Sequence, residues 1–197
     1  MKPIQERAVR FFGRVSSIYD ALVFAPWMRS IQRRVCSIIK DGGKVLDIAC
    51  GTGYALKYLS NELEDTRLYG VDQSEKMLLK ASKKLVSNVV LKKADVKQLP
   101  FSYNFFNYVI CTHAFNNFRK PLKVLKEVKR TLKPGGLFFV ADFYSKHKDA
   151  IEKIFKKQPG FVKFYSPEEY MRYFRKSDID VIFQKRTSKA LITVGRA

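Results

Sequence analysis

Acidic residues are scarce in this chain: 18 carboxylates face 38 lysines and arginines, a formal charge of +20 over 197 residues. Folding does not require such an excess, which adds self-repulsion and draws a protein towards polyanions, either an anionic membrane face or nucleic acid. Cysteine is also rare. Cys36, Cys50 and Cys111 form an odd set without Cys-x-x-Cys spacing, so no disulfide framework or structural metal is expected, only buried thiols in a reducing cytosol. No apolar run is long enough to cross a bilayer, and Met1-Lys-Pro-Ile-Gln-Glu-Arg7 has no signal-peptide core. The expected location is cytoplasmic, with the basic surface suited to peripheral contact at a membrane. Repeats and low-complexity linkers are missing, and apolar residues at 46% exclude disorder. One domain over residues 1–197 is expected.

What the chain does have is a short apolar run ending in small residues, Val45-Leu-Asp-Ile-Ala-Cys-Gly-Thr-Gly53. The run reads as a buried parallel strand, and the small residues as a tight turn into a helix. Gly51 and Gly53 allow a ligand to approach the backbone more closely than a Cβ permits. Asp47, set inside an apolar strand, is costly without a polar task. A doubly wound sheet holds nucleotide-like cofactors in this way at its strand ends. The dinucleotide pattern does not fit, because its third glycine falls on Leu56 counted from Gly51, or on Tyr54 counted from Ala49. No Gly-Lys-Ser/Thr follows, which excludes a P-loop.

Asp47-Ile-Ala-Cys-Gly-Thr-Gly53 resembles motif I of the class I S-adenosylmethionine-dependent methyltransferases. Further pieces follow in that family's order. A second strand ends at Asp72, about 20 residues past the glycine turn, where a carboxylate can take both ribose hydroxyls. Ser74 then reads as a helix N-cap with Met77 on the first turn. Lys93-Ala-Asp95-Val96 resembles the segment whose acidic residue accepts from the adenine amino group. Phe106 to Ala114 forms a strand with Thr112 and His113 at its end, and Leu132-Lys-Pro-Gly-Gly136 stops a helix before a buried strand. The resemblance implies S-adenosyl-L-methionine as cofactor, S-adenosyl-L-homocysteine as product, and a cofactor site built from Tyr19, Asp47, Ala49, Gly51, Gly53, Asp72, Gln73, Met77, Asp95, Val96 and Thr112.

Within that class, Phe115-Asn-Asn-Phe-Arg119 and Leu125-Lys-Glu-Val-Lys-Arg-Thr-Leu-Lys-Pro-Gly-Gly136 are similar to the ubiquinone/menaquinone-biosynthesis C-methyltransferases, as is Ser17-Ile-Tyr-Asp20. That family's Arg-Asn after the fourth strand is Asn116-Asn117 here, and the segment after the fifth strand is shorter. The acceptor is expected to be a small molecule or a lipid-borne group, either quinone-precursor-like or a phospholipid amine. RNA methylation is the alternative suggested by charge, but Thr112-His-Ala-Phe115 lacks the Asn/Asp-Pro-Pro-Tyr/Phe that grips a flipped base. A non-catalytic cofactor-binding scaffold is the third reading, disfavoured by the intact Asp47, Asp72 and Asp95.

Strands expected at 44–49, 67–71, 89–93, 106–111 and 137–142 alternate with helices at 54–63, 75–87 and 121–132. Two later apolar runs, Ile179–Phe183 and Ala190–Val194, suit a closing hairpin. The fold expected is α/β: a doubly wound, mostly parallel seven-stranded sheet, Rossmann-like, over residues 41–197. Residues 1–40 form a helical cap, with Val9, Phe12, Val15, Tyr19 and Leu22 at helical steps and a second helix carrying Trp27, Ile31, Val35 and Ile38. Methyl transfer from a sulfonium needs positioning and exclusion of water, and a base only if the acceptor loses a proton. His113 is the candidate base because an unperturbed imidazole titrates near neutrality. Asn117 is a candidate for orienting the acceptor, and Tyr144 a further catalytic candidate.

Overall fold

The computed structural model describes residues 4–15, 25–40, 42–85, 88–145, 152–153, 156–157, 160–187 and 190–197. Its elements run α1 (Ile4–Val15), α2 (Ala25–Cys36), β1 (Gly43–Ile48), α3 (Tyr54–Glu62), β2 (Thr66–Asp72), α4 (Glu75–Ser82) and β3 (Val89–Lys93). Then come β4 (Phe106–Thr112), α5 (Pro121–Thr131), β5 (Leu132–Phe143), α6 (Pro167–Arg175), β6 (Asp180–Arg186) and β7 (Ala190–Arg196). The strands form one seven-stranded sheet in the order β3-β2-β1-β4-β5-β7-β6. All of the β1–β5 pairings are parallel, and β7 runs antiparallel to both β5 and β6. This is the doubly wound Rossmann-like sheet that the alternation of strand and helix patterns implied.

Both faces of the sheet are apolar because helices cover both. Leu46, Ile48, Val109 and Phe138 point into one core with Val124, Val128 and Phe174. Their strand neighbours Val45, Ile110 and Phe139 point into the other, with Ile31, Val35, Leu56 and Leu59. Pro26 lies in the first turn of α2, where a missing N–H is tolerated. The buried stripe of α2 is Ile31, Val35 and Cys36, whereas Ile38 lies past the helix end and is exposed.

Two boundaries and one helix depart most from the sequence expectation. Helix α4 ends at Ser82, where Ala81 O accepts from both Lys84 N and Leu85 N and closes the last turn. Strand β5 begins at Leu132, before Pro-Gly-Gly: Leu132 pairs with Phe106, the chain bulges, and pairing resumes at Leu137 opposite Tyr108. Helix α6 was not anticipated, although Ser166 and Glu169 make a full capping box with Pro167 in its first turn. The hairpin is tightly packed over α6. A Cβ on Gly195 would lie 2.4 Å from Ile179 Cγ2 and 2.7 Å from the Phe174 ring. Gly195→Ala is therefore expected to destabilise the fold by about 1–3 kcal/mol through overpacking, read as a lowered urea midpoint with unchanged slope.

Candidate active site

The strand order reverses between β1 and β4, and the crevice beyond their carboxyl ends is where such sheets take ligands. A cavity of about 470 Å³ lies there, within the usual range for a small-molecule site. The ends of successive strands furnish its floor in spatial order: Asp95 and Val96 follow β3, Asp72 and Gln73 end β2, Ala49 and Gly51 follow β1, and Thr112 and His113 end β4. Met77 and Asn117 also reach it. Val9 of α1 and Met28, Arg29 and Gln32 of α2 line it as well.

The glycine turn is held in place by the neighbouring strand. Asp72 accepts from Gly51 N at 2.9 Å through one carboxylate oxygen and from Ser74 N at 2.7 Å through the other. Each oxygen keeps lone pairs for further donors. Ser74 caps α4 by accepting from Met77 N. Gly51 has a φ of 55°, and a Cβ built there would meet no atom within 4 Å, so the missing side chain opens directly into the cavity. Ala49 shares this left-handed backbone at φ 55°, an unusual conformation of the kind held at ligand sites. Gly53 does not line the cavity. Its φ is 77°, and a Cβ there would lie 3.0 Å from Ala81 and 3.1 Å from Leu85, so it serves the close approach of α3 to α4.

Asp47 sits beneath the floor, 2% exposed. Burial, and after it the charge of Asp72, pushes its carboxyl well above the ordinary carboxylate range. Burial raises Asp72 as well, against the backbone N–H groups that favour its charged form. Asp72 is the acid that faces the cavity, with Asp47 buried behind it. Asp95 accepts from Lys97 N at 2.9 Å and pairs with Lys97 Nζ at 3.1 Å, so a ligand's donor at this end meets a carboxylate already shared.

His113 meets the wall of the cap. Its Nε2 lies 3.2 Å from Met28 O, and its ring packs 5.4 Å from that of Trp27. The carbonyl can only accept, so Nε2 carries the hydrogen and Nδ1 is the basic nitrogen. Burial pulls the imidazole down to about 4, with the Met28 carbonyl opposing. The ring is thus neutral at pH 7 and a far weaker base than an ordinary histidine. Gln32 Nε2 donates to Thr112 Oγ1 at 3.0 Å and makes a second bridge from α2 to the end of β4. Tyr144 stands apart from the cavity, where its hydroxyl accepts from Arg186 at 3.3 Å. Tyr19 and the Ser17–Asp20 element lie outside the described residues. Met28, Arg29, Gln32 and Lys97 are cavity residues that the motif reading missed; on α2 the only sequence sign was a run of polar positions between apolar ones.

Behind the β4 end is a buried polar cluster. Asp142, 1% exposed, accepts from Tyr170 Oη at 2.8 Å and from Asn116 N at 3.2 Å. Asn116 O in turn accepts from Val162 N and Lys163 N, and Tyr165 donates to Phe118 O. The loop carrying His113 and Asn117 is therefore fixed from β5, α6 and the chain leading into α6.

Sheet order, glycine turn and strand-end carboxylates define a class. The chain carries a methyltransferase domain, matched over residues 46–140, on the fold of the class I S-adenosylmethionine-dependent methyltransferases. In sequence it is similar to the demethylmenaquinone methyltransferase of Geobacillus stearothermophilus, 32% identical over an alignment of 145 positions that covers 68% of this chain. It spans 61% of that relative's length. Among solved structures it is similar to a SAM-dependent methyltransferase from Aquifex aeolicus, with a TM-score of 0.71 and 25% identity over 84% of this chain and 88% of that one. The same fold appears in the putative methyltransferase solved with the Haloferax volcanii Trm112 methyltransferase activator, with a TM-score of 0.84 and 22% identity over 94% and 97% of the two chains.

Proposed function

We propose that the chain is an S-adenosyl-L-methionine-dependent methyltransferase acting on a small or lipid-borne acceptor. The observation that carries this reading is the cavity at the β1–β4 switch point, where Asp72 and Asp95 stand at the ends of neighbouring strands and Gly51 opens without a side chain. Such a site suits an adenosyl sulfonium, whose positive charge is favoured beside the Asp72 carboxyl. Asp72 is placed for ribose hydroxyls, Asp95 and Val96 for the adenine ring, and Ala49, Gly51 and Thr112 for the amino-acid end. When bound, the cofactor supplies an activated methyl group. The chain's own task is to hold the acceptor in line and to keep water out.

Val9, Val96, Phe118 and Val124 give the cavity an apolar lining that favours an apolar acceptor. Together with the likeness to demethylmenaquinone methyltransferase, this supports a quinone-precursor-like acceptor over a phospholipid amine. The +20 charge supports work beside an anionic membrane. Asn117 is placed to orient the acceptor. A C-methylation base drawn from His113 would give an acid limb near pH 4, since burial holds the imidazole there.

Calorimetry with S-adenosylmethionine and S-adenosylhomocysteine tests the cofactor, with micromolar binding expected for both. Absence of heat from either would overturn the reading. Transfer of labelled methyl to quinone precursors, and not to phospholipid or RNA fractions, is the expected outcome for the acceptor.

A further inference from the structure

Four basic side chains line the cavity: Arg29, Lys97, Arg119 and Lys120. They do not share one end of it. Lys97 is tied to Asp95 beyond β3. Arg119 and Lys120 are exposed and lead into α5, which packs on the face of the sheet opposite α2. Among the described basic residues of the lining, Arg29 stands on α2 beside the β1 and β4 ends. Its guanidinium lies 5.1 Å from the centroid of the Tyr54 ring at the start of α3. One turn on, Arg33 donates to the Tyr54 hydroxyl at 2.9 Å, which holds that ring in place. On the same helix, Gln32 reaches Thr112, and Met28 O meets His113.

The strand order dictates how an adenosyl amino acid must lie. With adenine at the β3 end and ribose on Asp72, its amino-acid end extends over β1 and β4. This orientation rests on the cofactor reading above. The α-ammonium is at home there, above Asp47 and beside Asp72. The α-carboxylate is not, because those same acids repel it and burial strips its water. It must turn away from the floor, towards the cap, and the cation the cap presents is Arg29.

We propose that Arg29 binds the α-carboxylate of the cofactor's methionine moiety, with Gln32 as the second donor. A guanidinium presents a fork of N–H donors that matches a carboxylate and suits a partly dehydrated site. The Gln32 amide has two hydrogens, and Thr112 takes only one. The cap helix thus recognises one specific part of the ligand, and its closure over the sheet is coupled to that part.

The test compares two ligands that share the adenosine but differ in the amino-acid end: S-adenosylhomocysteine, and 5′-methylthioadenosine, which lacks the carboxylate. Calorimetry is run on the whole chain and on Arg29→Gln and Arg29→Lys. Arg29→Gln is expected to weaken S-adenosylhomocysteine roughly 10–100-fold, as for a lost charge-assisted hydrogen bond, and methylthioadenosine less than about twofold. Arg29→Lys, which keeps the charge but not the fork, is expected to fall between wild type and Arg29→Gln for the first ligand only. Equal weakening of both ligands by Arg29→Gln, or no weakening of either, overturns the assignment. Failure of wild type to bind either ligand overturns the cofactor reading itself, and this assignment with it.

Discussion

Asp72→Ala is expected to lower affinity for S-adenosylhomocysteine by at least about 100-fold, because the carboxylate both lines the cavity and holds the turn that shapes it. Its two oxygens accept from Gly51 N and Ser74 N, so its removal leaves two partly buried donors without their acceptor at the cavity. Asp72→Asn keeps one oxygen to accept, and an intermediate loss of roughly tenfold is expected. Unfolding is not the cause to anticipate. Burial raises the Asp72 carboxyl, so its charge opposes folding near neutrality, and the asparagine variant removes that cost. Calorimetry paired with thermal melts separates the two effects. Unaltered affinity in Asp72→Ala would show that the ligand does not rest on the end of β2.

The parts of the site legible in the sequence are those fixed by neighbours along the chain. Ala49, Gly51 and Asp47 belong to one strand–turn unit, and Asp72 and Ser74 to another, so their residue types carry their geometry. Asp95 and Val96 follow β3 in the same local manner. Arg29 and Gln32 are different. They reach the cavity only because Ile31, Val35 and Cys36 anchor α2 on the sheet, and nothing in the helical pattern distinguishes a roof from a solvated face. For His113, residue type suggested an ordinary base, but its environment comes from Met28, 85 positions earlier. Asp142 read as the close of a buried strand. Its partner Tyr170 sits on α6, 28 residues on, and brings a titratable group into the core that local pattern could not foretell.

That group governs a second large effect, on stability against pH. Burial lifts the Asp142 carboxyl from 3.8 to about 7, with Tyr170, Asn116 and two further backbone N–H groups pulling it down. Below about pH 4 the folded and unfolded chains both hold its proton, and the group's contribution is fully present. As pH rises from there to about 7, the unfolded chain releases the proton and the fold retains it, so stability falls. Above that point the loss levels off at about 4 kcal/mol, from 1.36 kcal/mol per pKa unit. Asp142→Asn keeps an oxygen for Tyr170 and Asn116 N, and its amide supplies donors where Asp142 Oδ1 has no hydrogen-bond partner among the described residues. Asn116 Oδ1 is buried without a partner in the same cluster, and such a donor suits it. The variant is therefore expected to match wild type near pH 4 and to exceed it by about 4 kcal/mol at pH 8 in urea denaturation. The other buried carboxyls, Asp47 and Asp72, titrate in both proteins and cancel in the difference. A difference that stays constant from pH 4 to pH 8 would mean that Asp142 is ionised in the fold throughout, and that the loop bearing His113 and Asn117 is held by a charge.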